Sequence, residues 1–290
     1  MTRSLWVGFA ALCLLAGSGW ALDEVAPGLL HGLLRVAVHY GLLAVVFAVV
    51  SLRTQTKQDW LPWGKLALGA IAVFGLPQVL FAAAGGHVAG TTALLVFLGV
   101  PAVVVFVVAQ QADTRGSIEN PLRALAPALA GLGGAVLVVP FDWPSSGVGR
   151  MWLVGMVASA LLAGVAAVWL HGLLRGVGVL RAVAVMFGAV SLVVAAFCWI
   201  ESDATLVWDS TGVAWELGRL LVVEGPILGL TVWLMREMPP VRFSARVLGV
   251  PLVMIVEGYA LEHPDVGWTT AVGVLLLAGG VVGLLRAESV

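Results

Sequence analysis

The sequence predicts an all-α integral membrane protein of ten transmembrane helices, arranged as two inverted five-helix repeats. Three observations carry this expectation. Apolar runs of spanning length fill nearly the whole chain. Basic residues fall on alternate connections between those runs. Helix breakers in the second half echo those of the first. Of the residues, 61% are hydrophobic and 11% charged, with a mean hydropathy of +1.05, where a soluble domain carries about 25% charged residues. A globule so apolar could not cover its own surface, so lipid is the expected solvent. A net charge of −1 and a pI near 6.5 give no basic face for nucleic acid. Cys13 and Cys198 both lie in apolar runs and offer neither a disulfide framework nor metal-ligand spacing.

A spanning helix needs about 20 predominantly apolar residues. Runs of that kind lie at roughly 4–22, 29–51, 62–84, 88–109, 122–140, 150–170, 178–200, 211–235, 241–262 and 266–286. The first has the make-up of a signal peptide, with Arg3, the apolar run 5–16 and Ser18-Gly19-Trp20-Ala21. The repeat needs it as a retained first helix, and it is read as one. The halves are 1–141 and 142–290. With the N-terminus inside, the inner segments hold Arg3, Arg53, Lys57, Lys65, Arg115, Arg123, Arg175, Arg181, Arg236, Arg242, Arg246 and Arg286, 12 of the 15 Lys and Arg. The opposite side collects Asp23, Glu24, Asp142, Glu201, Asp203, Asp209, Glu262 and Asp265. That asymmetry predicts an N-in, C-in protein of a bacterial-type inner membrane.

Leu98-Gly99-Val100-Pro101 recurs as Leu248-Gly249-Val250-Pro251, 150 residues later. The same offset pairs Gly75 with Gly225, and leaves Pro77 and Pro226 one residue out of register. Both LGVP copies are expected to mark the same bend, in helices 4 and 9. A second echo, HGLLR at 31–35 and 171–175, opens helix 2 in one copy but falls in the loop after helix 6 in the other, and is read as coincidence. Five helices per half invert the second half relative to the first, a transporter signature.

Helix 1 carries Gly17-Ser18-Gly19-Trp20, and helix 2 opens with Pro27 and Arg35. Helices 4 and 9 follow tight turns and lead to Pro101 and Pro251, and helix 10 carries Gly273 and Gly279-Gly280. Taken together, these features resemble the EamA-type branch of the drug/metabolite transporter superfamily. The resemblance implies alternating access of an amino acid or similar amphipathic solute. The implied midplane site lies between helices 3, 4, 8 and 9, with helices 1, 2, 6 and 7 completing the cavity. One position departs from the family pattern: 13 residues after Pro251, where the family often has an acid, stands Pro264, with Glu262 nearby.

Charges within spans cost about 2.5–3.5 kcal/mol each on insertion scales, so the few present are the candidate substrate-binding or coupling residues. Glu224 precedes Gly225-Pro226 near the middle of helix 8. Proline frees a carbonyl one turn earlier, and a carboxylate beside such a break could exchange protons; the alternative is a static pair with Arg219 or Arg35. Glu216 and Arg219, three apart, are expected to pair locally. Arg35 and His39, four apart, share a face of helix 2. Arg35 could hold a carboxylate or snorkel to headgroups. Glu257 and Trp20 complete the set, with Tyr40 as a weaker neighbour. Gly75, Pro77, Pro101, Gly225, Pro226 and Pro251 are the helix breaks expected to line the cavity. Trp60, Trp63, Trp143, Trp152, Trp208 and Trp268 read as an interfacial belt, while Trp215 and Trp233 are further lining candidates.

The expected function is a secondary transporter, in the exporting direction, of small organic metabolites. Its partners are a small-molecule substrate, membrane lipid and protons, as a monomer or homodimer, with no nucleic acid. No metal or cofactor is expected, and there is no Walker A sequence for direct ATP use. The alternatives are a membrane enzyme acting on a lipid, or a non-transporting receptor or assembly subunit. The enzyme would need clustered carboxylates or a nucleophile with its base, and His31 and His171 stand isolated in the sequence.

Overall fold

A computed structural model describes residues 2–20, 30, 32–53, 62–113, 122–201, 210–262 and 267–287. Pro27, His31, Lys57, Trp60, Arg115, Trp208 and Pro264 lie outside these residues, as do Asp23, Glu24, Asp203, Asp209, Asp265 and the side chains of Glu201 and Glu262.

The described residues are helical almost throughout. In chain order, α1 is Arg3–Gly17, α2 is Gly32–Arg53 and α3 is Trp63–Ala83. The helix α4 runs Gly90–Leu98 and Val100–Asp113, and α5 is Leu122–Val138. Then α6 is Gly147–Leu174, α7 is Val179–Glu201 and α8 is Ser210–Glu237. Finally, α9 is Pro240–Ser244 and Arg246–Glu262, and α10 is Trp268–Arg286. Eight of these are long and apolar enough to cross a membrane; α1 and α5 are shorter, at 15 and 17 residues. The chain is therefore a multi-pass, all-α membrane protein. Outward faces are as apolar as the interior: Leu192 is 74% and Val222 68% exposed. Helices apolar all round are what a lipid solvent requires.

Small residues set how the helices pack, because apolar lipid gives no hydrophobic drive between them and close backbone approach does the holding. Helices α5 and α10 form one intimate pair. A Cβ on Gly134 would sit 2.5 Å from Gly273 O, and one on Gly280 would sit 2.7 Å from Gly131 Cα. Helices α2 and α7 form another: the Ser191 hydroxyl on α7 donates to Ala37 O on α2 at 2.7 Å, and Val183, Phe187 and Val190 of α7 are fully buried. Helix α1 packs on α8 and α9, while α6 packs on α3 and α4. At α1, Gly17 abuts Val253 and Val250 O, and at α6, Gly164 abuts Val103 and Val100 O. These two glycine seats use valines 150 residues apart.

The helix breaks differ in detail from the expected register. Helices α3 and α8 are each interrupted by a five-residue π turn, Ile71–Gly75 and Leu220–Glu224. The residue after each turn donates its N–H five residues back, Leu76 to Ile71 O and Gly225 to Leu220 O. Pro77 and Pro226 follow. Proline lacks the N–H that an α-helix would use, and the wider turn re-pairs the ladder just before it. Ile71 and Leu220 are 149 residues apart, as are Pro77 and Pro226. At that offset of 149 Gly75 falls opposite Glu224, where the offset of 150 had placed it opposite Gly225.

The LGVP copies do not mark one bend. Helix α4 breaks at Gly99, within its copy, but α9 breaks at Ala245, before its copy, and Pro251 lies inside the helix. The copies share a packing position instead, through Val100 and Val250. Helix α6 also runs to Leu174, so the second HGLLR lies largely in its last turn rather than in a loop.

Candidate functional site

Two groups of polar side chains lie inside the bundle, toward opposite ends. The first joins α2 to α8. Glu216, 7% exposed, accepts the Leu30 N–H at 2.8 Å through Oε1. Its Oε2 lies 3.0 Å from His39 Nε2, and Arg35 Nε is 4.0 Å from Oε1. Arg35 also donates to Leu30 O at 2.9 Å. Arg35 and His39 thus share the expected face, but Glu216 turns to α2 rather than to Arg219. Arg219 instead meets Glu224, with Nε 3.8 Å from Oε1. Five residues apart on an α-helix, the two would diverge by about 140°; the π turn between them brings them together. Arg219 also lies in electrostatic range of His39, and Glu224 of Tyr40.

Glu257 stands apart from this group, where its Oε1 accepts the Ser18 hydroxyl and ties α9 to the end of α1. Its Oε2 and the Trp20 Nε1 are both buried without a hydrogen bond among the described residues.

The second group surrounds a cavity of about 120 Å³, bounded by α3, α4, α6, α8 and α9. None of the six expected helix-break residues lines it, although Val100, beside Pro101, does. Its polar groups are Arg246, His171 and Ser244, against a wall that includes Val73, Phe97, Val104 and Ala167. The Ser244 hydroxyl is occupied by Val241 O at 2.6 Å. The His171 ring binds Met235 O at 2.7 Å through Nδ1. A carbonyl only accepts, so Nδ1 carries the proton and Nε2 is left over. Arg246 lies 4.4 Å above the Phe243 ring and 5.8 Å from that of Phe74. Phe74 and Tyr40 in turn pack on Phe187, at 5.5 and 4.9 Å between ring centroids.

Sequence reasoning missed Arg246 and His171. It counted Arg246 with the inner-face basic residues and His171 as isolated. A signal was present for Arg246, since it lies inside the run 241–262 read as a span. Among the described residues, no cluster of His, Cys, Asp and Glu could hold a metal ion.

Fold and interior together define a class: a multi-pass helical membrane protein with a mostly apolar cavity inside its bundle, into which a few polar side chains are set. No family model and no curated protein matches the chain. Its fold is similar to that of a solved structure titled "Crystal structure of protein", at a TM-score of 0.72 and 17% identity over 99% of each chain. At that identity the likeness speaks for the fold alone.

Proposed function

We propose that the chain is a secondary transporter of small organic metabolites of the EamA type, working by alternating access. It has ten spans in two inverted halves, 1–141 and 142–290, with both termini inside a bacterial-type inner membrane. The observation that carries this reading is the paired packing. Gly17 of α1 rests on Val253 and Val250 O of α9, and Gly164 of α6 rests on Val103 and Val100 O of α4. Exchanging the halves maps one contact onto the other. It likewise maps α1 on α8 to α6 on α3, and leaves the pairs α2 with α7 and α5 with α10 in place. Matching π turns with their prolines support the same mapping. Such symmetry gives two packings of similar energy, one open to each side.

In this reading the described conformation is closed at the acidic end, where Glu216 binds α2 and Glu257 binds Ser18. Glu224 is the candidate coupling group, because the π turn is what brings Arg219 against it. Arg35 and His39 serve the closed end rather than the substrate. The protein exports its solute from the basic, inner side.

Counterflow in proteoliposomes tests the reading. Vesicles preloaded with an unlabelled amino acid should accumulate the labelled one transiently, at least tenfold above empty vesicles. No counterflow with any amino acid or small carboxylate contradicts it. Glu224→Gln should abolish the response of uptake to an imposed pH gradient; an unchanged response removes Glu224 from coupling.

A further inference from the structure

The cavity between α3, α4, α6, α8 and α9 contains a cation, Arg246, with no counter-ion among the described residues. Among the described residues no carboxylate pairs with Arg246 and no acceptor takes a hydrogen bond from it. Cation–π contact with Phe243 and Phe74 offsets part of the cost of holding charge there. The contact also packs the guanidinium on an aromatic ring, which leaves it able to donate to a further partner. A ring face does not replace an N–H···O hydrogen bond, so the half-buried guanidinium on the cavity wall has no acceptor among the described residues. An anionic, planar acceptor is the group that complements it best.

The rest of the wall defines the other end of that occupant. It is apolar around Phe97, Val104 and Ala167, with two further polar residues, His171 and Ser244, the latter already donating to Val241 O. A cavity needs roughly 10–15 Å³ of such space to hold one water, so about 120 Å³ admits a small organic molecule. We infer that this cavity is a binding site for a small carboxylate with an apolar body. The carboxylate makes a two-pronged bond to Arg246, and the body lies against Phe97, Val104 and Ala167. The inference deepens the transporter reading and rests on it for the route of the solute, but binding itself needs no transport.

The test uses the full chain in maltoside micelles, with phenylacetate as probe and phenylacetamide and phenethylamine as its neutral and cationic counterparts. A ligand bound only by the folded state raises thermal stability with concentration. Phenylacetate should bind at least tenfold more tightly than either counterpart, by titration calorimetry and by thermal shift. Arg246→Gln should abolish that preference, and Arg246→Lys, which keeps the charge but loses the fork, should keep only part of it. Equal binding of acid and amide, no binding of either, or a preference surviving in Arg246→Gln overturns the site. If Arg246→Gln fails to fold, the wild-type comparison of acid, amide and amine decides alone. An anionic lipid headgroup shares the chemistry, so dioctanoylphosphatidylglycerol is titrated alongside, and tighter binding of that lipid than of phenylacetate also overturns the proposal. Phenylacetate bound but not moved in proteoliposomes tells against transport and not against the site. Transport without acid-selective binding tells against the site and not against transport.

Discussion

At the scale of single residues, the interior is decided by where each charge finds a partner. Glu216 satisfies a backbone N–H and faces both His39 and Arg35. Removing one member of a buried ionic group costs more than the group contributed, because the others are left uncompensated. Glu216→Ala should lower stability by about 3 kcal/mol, read as equilibrium unfolding in mixed micelles; a change under about 0.5 kcal/mol, the size of ordinary surface substitutions, would show that the cluster contributes little. Charged positions could be picked out from the sequence because they interrupt an apolar background. Their pairings could not. The Arg219–Glu224 contact depends on a π turn that periodicity does not reveal, and it displaced the expected Glu216–Arg219 pair. Arg246 was visible as a charge within a span, but the positive-inside pattern claimed it first.

At the scale of the element, prolines and glycines fix both the irregular turns and the distances between helices. Pro226→Ala would restore a donor to the α8 ladder, a gain of roughly 1 kcal/mol. It would let the π turn at Leu220–Glu224 revert to α and separate Arg219 from Glu224. The expected result is a higher melting midpoint with slower transport; a faster variant would mean the turn is only an accommodation to proline. On α10, a Cβ at Gly280 would fall 2.8 Å from Pro127 O and 2.7 Å from Gly131 Cα. Gly280→Ala should therefore cost about 1–3 kcal/mol, since backbone must move to admit it. Helix positions were readable because the apolar runs are long and their breaks are Gly, Pro or charge. The break in α9 was not, because Ala245 carries no breaker chemistry, while the LGVP proline sits within continuous helix.

At the scale of the whole molecule, the all-helical, membrane-embedded character followed from composition alone. Internal symmetry was only hinted at by four-residue echoes in a chain crowded with Leu and Val. At Gly17 and Gly164, side-chain-free positions of α1 and α6 seat on valines 150 residues apart, a contact pattern that the proposed symmetry would explain. On the proposed transporter reading, two such seats would let the halves rock against each other. In this account the acidic end opens when Glu257 leaves Ser18 and Glu216 loosens from α2, while the Arg246 cavity closes at the basic end. A cysteine in place of Val247, on the cavity wall, should then react with an impermeant thiol reagent from the basic side and be protected by bound solute. Labelling from the acidic side alone would reverse the assignment of the open end.

The most direct measurement concerns the Ser18–Glu257 contact. In a background with Cys13 and Cys198 replaced, Ser18→Cys and Glu257→Cys can be bridged by a short bifunctional thiosulfonate, holding α1 against α9. The account predicts that counterflow falls at least tenfold on bridging and recovers when the bridge is reduced. Undiminished counterflow in fully bridged protein would contradict alternating access through this end of the bundle.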